Sequence, residues 1–178
     1  MSSVNKNANT ACYVSASVIR LRRRFVTMQS SLSDTLIFYR ETPLYANDCM
    51  EVVETVAREF SARAGVVRTE AVVASALQRE AEDSTCVGRM LAVPHARVEG
   101  LSCAGLYLVR VEPAVNWPTE SVKMVAFLAV PEETPEVYLQ MLSQLVRWWV
   151  GTCAEHGEGV NYQVMADLAA SLTARLHS

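Results

Sequence analysis

The sequence predicts an α/β (α+β) protein: a single-domain mixed β-sheet of about five strands flanked by helices. Three observations carry this. The chain has 178 residues, 51% of them apolar, enough for one buried core and too few for two. Strand-like and helix-period segments occur in the order strand, two helices, three strands, two helices. Strands joined by short loops pair antiparallel, whereas helical segments between strands supply crossovers, so one sheet holds both kinds of pairing.

The elements follow in order. Thr35–Tyr39 (TLIFY) is β-branched and aromatic, the composition of a strand. Asp48 and Glu51 form a capping box ahead of Val52, Val53, Val56 and Phe60, which share one helical face, and Gly65 sits where a left-handed C-cap belongs. Thr69 is expected to cap a second helix through Glu80, with Val72, Val73, Ala76 and Leu77 inward. Val87–Val93, Cys103–Val111 and Ser121–Val130 read as strands, with Gly100, Pro113, Pro118 and Pro131 breaking the chain around the latter two. The run Met124–Val130 (MVAFLAV), between Lys123 and Pro131, is expected to be a fully buried strand. Pro135 suits the first turn of a long helix to about Glu155, where its missing N–H is not needed. Leu139, Leu142, Val146 and Trp149 would form the inner stripe of that helix, and Gly157 its end. Asn161 is expected to cap a last helix through Val164, Leu168, Leu172 and Leu176.

Charge and cysteine content narrow the function classes. Lys and Arg number 16 against 19 Asp and Glu, a net −3 that argues against a dedicated nucleic-acid binder. Residues 1–33 hold five of the basic residues (Lys6, Arg20, Arg22, Arg23, Arg24) and no acidic one, leaving 11 against 19, or −8, for the remainder. Residues 1–27 read as a basic tail without periodicity: a disordered segment, an organellar transit peptide, or a stretch ahead of a natural start at Met28. Residues 28–178 form the domain. Five scattered cysteines, none in a C-x-x-C pair, point to reduced thiols in a cytosolic protein and offer no zinc spacing. No apolar run approaches membrane-spanning length.

No P-loop, dinucleotide-binding glycine pattern, nucleophile elbow or H-E-x-x-H is present. His156, at a helix end, and His177, next to the C-terminus, read as structural or solvated. His95 differs, because Leu91-Ala92-Val93-Pro94 delivers it rigidly at a strand end, where sites are commonly built. Spacing alone still favours a packed, hydrogen-bonded histidine over a reactive one.

The segment from Leu77 to Arg97 contains Arg79-Glu80, then Ser84-Thr85-Cys86-Val87-Gly88, then Ala92-Val93-Pro94-His95. It resembles the signature of bacterial phosphotransferase-system (PTS) IIA domains of the fructose/mannitol type (type 2), which include the nitrogen-regulatory IIA proteins. That family shows an R-E pair, an S-T-G-I-G turn and A-I-P-H; here Cys86 replaces the first glycine of the turn. The similarity extends through the apolar strand Val122–Pro131 and the segment Tyr138–Leu145, covering roughly residues 30–176.

The resemblance implies a transient phosphohistidine at His95. The phosphoryl group would come from the carrier protein HPr, or its nitrogen-branch relative, and pass to a sugar permease IIB subunit or serve as a regulatory mark. A neutral imidazole nitrogen is a good nucleophile near pH 7, and a hydrogen bond from the other ring nitrogen fixes its tautomer. Arg79 matches the motif arginine and is the candidate phosphoryl clamp, a solvated helix-end charge being the plainer reading. Arg97 either assists or is a solvated loop charge; Ser84 and Thr85 either donate to the phosphoryl group or build the turn. The family usually carries a second histidine where this chain has Tyr138, which offers one neutral hydrogen bond and cannot become a cation. The resemblance implies no cofactor or metal, no nucleic-acid partner and no membrane insertion. Three outputs stay open: transport phosphocarrier, phosphorylation-dependent binding regulator, or a relative that binds partners without being phosphorylated.

Overall fold

The run Met124–Val130 is buried along its whole length because helices cover both faces of the sheet it belongs to. The structure, a computed structural model, describes residues 35–132, 135–156 and 162–176. The expected tail, the Gly157 helix end, the Asn161 cap and His177 lie outside the described residues. Ten elements are present: β1 (Leu36–Tyr39), α1 (Cys49–Ala64), α2 (Thr69–Glu82), β2 (Cys86–Gly88), β3 (Leu91–Ala92), β4 (His95–Val98), β5 (Gly105–Asn116), β6 (Ser121–Pro131), α3 (Pro135–His156) and α4 (Tyr162–Leu176).

The six strands form one mixed sheet in the order β1-β5-β6-β3-β2, with β4 also beside β6. β1 runs parallel to β5, β5 antiparallel to β6, β3 and β4 parallel to β6, and β2 antiparallel to β3. Strand alternation divides the core. Tyr107, Val109, Val125, Phe127 and Ala129 face α1 and α2, whereas Leu106, Leu108, Met124, Ala126, Leu128 and Val130 face α3 and α4. A strand covered on both faces reads as a continuous apolar run, which β6 does.

Helix α1 forms as its sequence suggests. Asp48 Oδ1 accepts the Glu51 N–H at 2.9 Å, and Gly65 closes the helix in the left-handed region at φ 67°. The carboxylate of Glu51 accepts from the N–H of Asn47 at 2.8 Å, one residue earlier than a capping box requires. At α2 the expectation is corrected. Thr69 is the first helical residue, not the cap; its hydroxyl donates to the Val66 carbonyl at 3.3 Å, and Arg68 precedes the helix without a side-chain cap.

Other corrections concern the sheet and α3. Val87–Val93 is not one strand: Arg89 and Met90, at φ 54° and 62°, turn the chain back between β2 and β3. Positive φ at both loop residues is the type I′ hairpin geometry, which usually takes Asn or Gly. It is held here from outside: Trp149 donates to the Arg89 carbonyl at 2.9 Å and the Met90 N–H reaches Glu120 Oε1 at 2.9 Å. β5 continues through Pro113 to Asn116, with its register against β6 irregular between Arg110 and Val115, where a proline is tolerated. In α3 the expected Trp149 is buried and Leu142 packs against the core, whereas Leu139 is 61% exposed and Met141 and Leu145 are buried among the described residues, so the stripe is shifted at its start.

Candidate functional site

His95 opens β4 instead of trailing the preceding strand. Leu91 stands opposite Met124 and His95 opposite Leu128, the same offset on both sides of Pro94, so β3 and β4 are one line of chain interrupted at the proline. Alternation along that line places His95 on the face of Leu91 and Val93, toward α3 and α4. Its residue surface is 7% exposed.

The His95 ring is held by its own strand, with Nδ1 3.1 Å from the Val93 carbonyl oxygen. A carbonyl only accepts, so Nδ1 carries the proton and Nε2 the lone pair. Burial pushes the imidazole below its ordinary pKa, against the opposing pull of the Val93 carbonyl. The positive charges of Arg79 and Arg97 push the same way as burial, and Glu80 resists weakly. A neutral ring with a fixed basic nitrogen results.

Beside His95 lies an open cleft of about 270 Å³, lined also by Ser75, Gln78, Arg79 and Glu82 of α2 and by Arg97 of β4. Strand β4 meets α2 here: Ser75 Oγ donates to the Arg97 carbonyl at 3.1 Å and accepts the Arg97 N–H at 3.2 Å. Arg79 Nη1 donates to the Asp83 carbonyl at 2.7 Å, closing the last turn of α2 while the residue borders the cleft. His95, Arg79 and Arg97 are thus brought together: a nucleophilic nitrogen with two guanidinium groups able to fork onto phosphoryl oxygens. A larger cavity of about 360 Å³, lined by Phe60, Val66, Val98 and Leu101 among others, contains no histidine and stands apart from this chemistry.

Ser84 and Thr85 do not line the cleft. Ser84 Oγ accepts the Cys86 N–H at 3.3 Å, and Thr85 is buried against Glu80. Both side chains therefore serve the turn. Tyr138 lies in the first turn of α3, three residues before Met141; its side chain is outside the described residues, as is that of His156.

Sequence reasoning missed Glu80 as a structural centre. It is 7% exposed and accepts from the Thr85 N–H at 3.1 Å, the Thr85 hydroxyl and the Trp117 indole N–H at 2.8 Å. Its place on the stripe Val72, Val73, Ala76, Glu80 was the available signal, since a charge at helical spacing among apolar residues faces inward. Nothing in the sequence ties Trp117 or Glu120 to this turn.

The fold is that of the IIA proteins of the phosphotransferase system. It resembles the nitrogen regulatory protein IIA-Ntr from Neisseria meningitidis with a TM-score of 0.61 and 23% identity, over 80% of this chain and 94% of that one. It resembles IIA mannitol from Escherichia coli with a TM-score of 0.52 and 19% identity, over 85% and 100% of the two chains. A match of 20% identity and TM-score 0.50, over 74% and 94%, is to the E. coli complex of enzyme IIA-mannitol with phosphorylated enzyme IIB-mannitol. The chain belongs to the phosphoenolpyruvate-dependent sugar phosphotransferase system EIIA 2 family, whose model matches residues 32–151. The transcriptional regulator ManR of Bacillus subtilis is 24% identical over 126 residues, 71% of this chain, which spans only 19% of that protein's length. Among the described residues no helix is long and apolar enough to cross a membrane.

Proposed function

We propose that the protein is a cytoplasmic phosphocarrier whose His95 accepts a phosphoryl group from an HPr-like protein and passes it to the IIB subunit of a sugar permease. The observation that carries this is the hydrogen bond from His95 Nδ1 to the Val93 carbonyl beside a cleft bordered by Arg79 and Arg97. The lone pair on Nε2 attacks phosphorus as the bond to the donor breaks; Nδ1 keeps its proton throughout. The guanidinium groups offset the charge spread over the equatorial oxygens. Passing the group onward reverses the step. The match to a IIA–IIB complex of the same fold supports a IIB-like partner.

A second output, phosphorylation-dependent binding to a regulatory target, is favoured by one observation. Tyr138 stands in α3 where the family usually carries its second histidine, and a tyrosine supplies no positive charge to a phosphoryl group in transit. Incubation with phosphoenolpyruvate, the first enzyme of the system and HPr, followed by intact mass, tests both outputs. One added phosphoryl group, absent in His95→Ala and retained in His156→Ala and His177→Ala, is expected. Label persisting in His95→Ala would overturn the site. Adding a IIB domain then separates the outputs: discharge means transport, retention means regulation.

A further inference from the structure

The buried Glu80 carboxylate lies at the start of a continuous hydrogen-bond chain that ends on the His95 ring. Glu80 receives the Trp117 indole N–H at 2.8 Å and the Thr85 N–H at 3.1 Å on Oε1, and the Thr85 hydroxyl on Oε2. The Thr85 carbonyl accepts the Val93 N–H at 2.9 Å. The Val93 carbonyl in turn holds His95 Nδ1 at 3.1 Å. Each link restrains the residue that makes the next. Thr85 is held at both its N–H and its hydroxyl, and its carbonyl in turn holds Val93, the residue whose own carbonyl faces His95.

The far end of the same turn is held by a second carboxylate. Glu120 Oε1 accepts the Met90 N–H at 2.9 Å and the Cys86 thiol at 3.4 Å, and its carbonyl accepts the Trp117 N–H at 2.9 Å. Segment 85–90 is therefore held twice, at Thr85 by α2 and at Cys86 and Met90 by the β5–β6 turn, with Trp117 touching both carboxylate-bearing residues. Such a clamp suits a turn whose loop residues, Arg89 and Met90, occupy the left-handed region without being glycine. A buried carboxylate costs desolvation, and donors of fixed geometry offset it.

We propose that Glu80 is a positioning residue that selects the Nδ1–H tautomer of His95, acting through Thr85 and Val93. It touches neither the cleft nor the phosphoryl group. Its effect is to keep the basic lone pair on Nε2 and to hold the ring against rotation. The structural claim stands on the hydrogen-bond chain alone, whereas its kinetic consequence rests on the phosphoryl-acceptor reading of His95.

The test is ¹⁵N NMR of the imidazole nitrogens in the full chain above the His95 pKa, run beside the phosphotransfer assay. Wild type should show a single Nδ1–H tautomer. Thr85→Val, which keeps the shape and removes one donor, and Glu80→Ala, which removes the acceptor, should both show a substantial Nε2–H population. Phosphorylation in Glu80→Ala should slow on the order of a hundredfold, the scale of a small misplacement of a reacting group. Glu80→Gln retains an acceptor for Thr85 and Trp117 and should restore most of both readouts. If Glu80→Ala does not fold, Thr85→Val still decides the matter. A pure Nδ1–H signal in the folded variants, or a mixed one in wild type, would overturn the proposal. A wild-type chain with the Nδ1–H signal that takes no phosphoryl group would overturn the acceptor reading and leave the positioning role standing.

Discussion

Gly105 leaves the space that the Phe60 ring fills: a Cβ added at Gly105 would lie 2.4 Å from Phe60 Cε2 and 2.5 Å from Cζ. Gly105 opens β5, and the fully buried Phe60 ring packs on it from α1 between Phe38 and Phe127. The glycine is there for space, since its φ is not in the left-handed region. Gly105→Ala should destabilise by about 1–3 kcal/mol, the range of overpacked cores. Combining it with Phe60→Leu, which frees room at the ring, should cost less than the two single changes added together. Urea midpoints of the four proteins measure this, and strict additivity would show that the ring has room to move away.

The depressed basicity of His95 makes stability depend on pH. Burial is the main cause, and the charges on Arg79 and Arg97 add to it. In the unfolded chain the ring titrates near its ordinary value of about 6.5, so on acidification the unfolded state takes up the proton first. The contribution of His95 is therefore fully present above that value and is lost as pH falls through the folded-state pKa. Between about pH 8 and pH 5 the wild type should lose more stability than His95→Gln does. Denaturant midpoints at both ends of that window decide it; parallel losses would mean that the ring is as basic folded as unfolded.

Arg79 has two duties that a pair of measurements separates. Its Nη1 caps the end of α2 at the Asp83 carbonyl, worth about 1 kcal/mol for a hydrogen bond of this kind. It also borders the cleft beside His95. Arg79→Ala should lower the melting temperature slightly yet slow phosphotransfer by about a hundredfold, roughly 3 kcal/mol. Arg97→Ala, at an exposed position, should slow it less. A small stability loss with an unchanged rate would leave Arg79 as a helix cap.

How much of this was legible in the sequence depended on where each element's partners lie. Helix α1 carried its own start and stop, Asp48 and Gly65, and strand β6 its own burial, so both were readable locally. The β2–β3 hairpin was not, because Arg89 and Met90 give no turn signal; their conformation is held by Trp149 and Glu120, both distant in sequence. Of the inner face of α3, Trp149 was readable but the first turns were not, because apolar residues lie on most sides there and periodicity alone does not choose between Leu139 and Met141. At the site, His95 and Arg79 were visible through their motif. The part of Glu80 was hidden, since a sequence does not say which donors a buried carboxylate will meet.

Tyr138, like Cys86, differs from the pattern the sequence resembles, and its place in α3 gives that difference a measurable consequence. Helix α3 begins at Pro135, so Tyr138 lies in the first turn, where unpaired backbone N–H groups and the positive end of the dipole favour an anion. Three residues on, Met141 shares a small internal cavity with Leu128, the residue opposite His95 in the sheet and on the same face. The first turns of α3 thus lie over β6, the strand that pairs with β4 beside His95. A histidine in the first turn would bring a charged hydrogen bond, about twice as strong as the neutral one a tyrosine offers. Tyr138→His should speed phosphotransfer or prolong the phosphorylated state, increasingly as pH falls toward 6, where the new ring is protonated. Tyr138→Phe should slow transfer modestly, by about 1 kcal/mol for one neutral hydrogen bond. Rates and melting temperatures on the two variants decide the matter together. A silent Tyr138→Phe, alongside a Tyr138→His that loses stability and gains no rate, would make the tyrosine a packing residue.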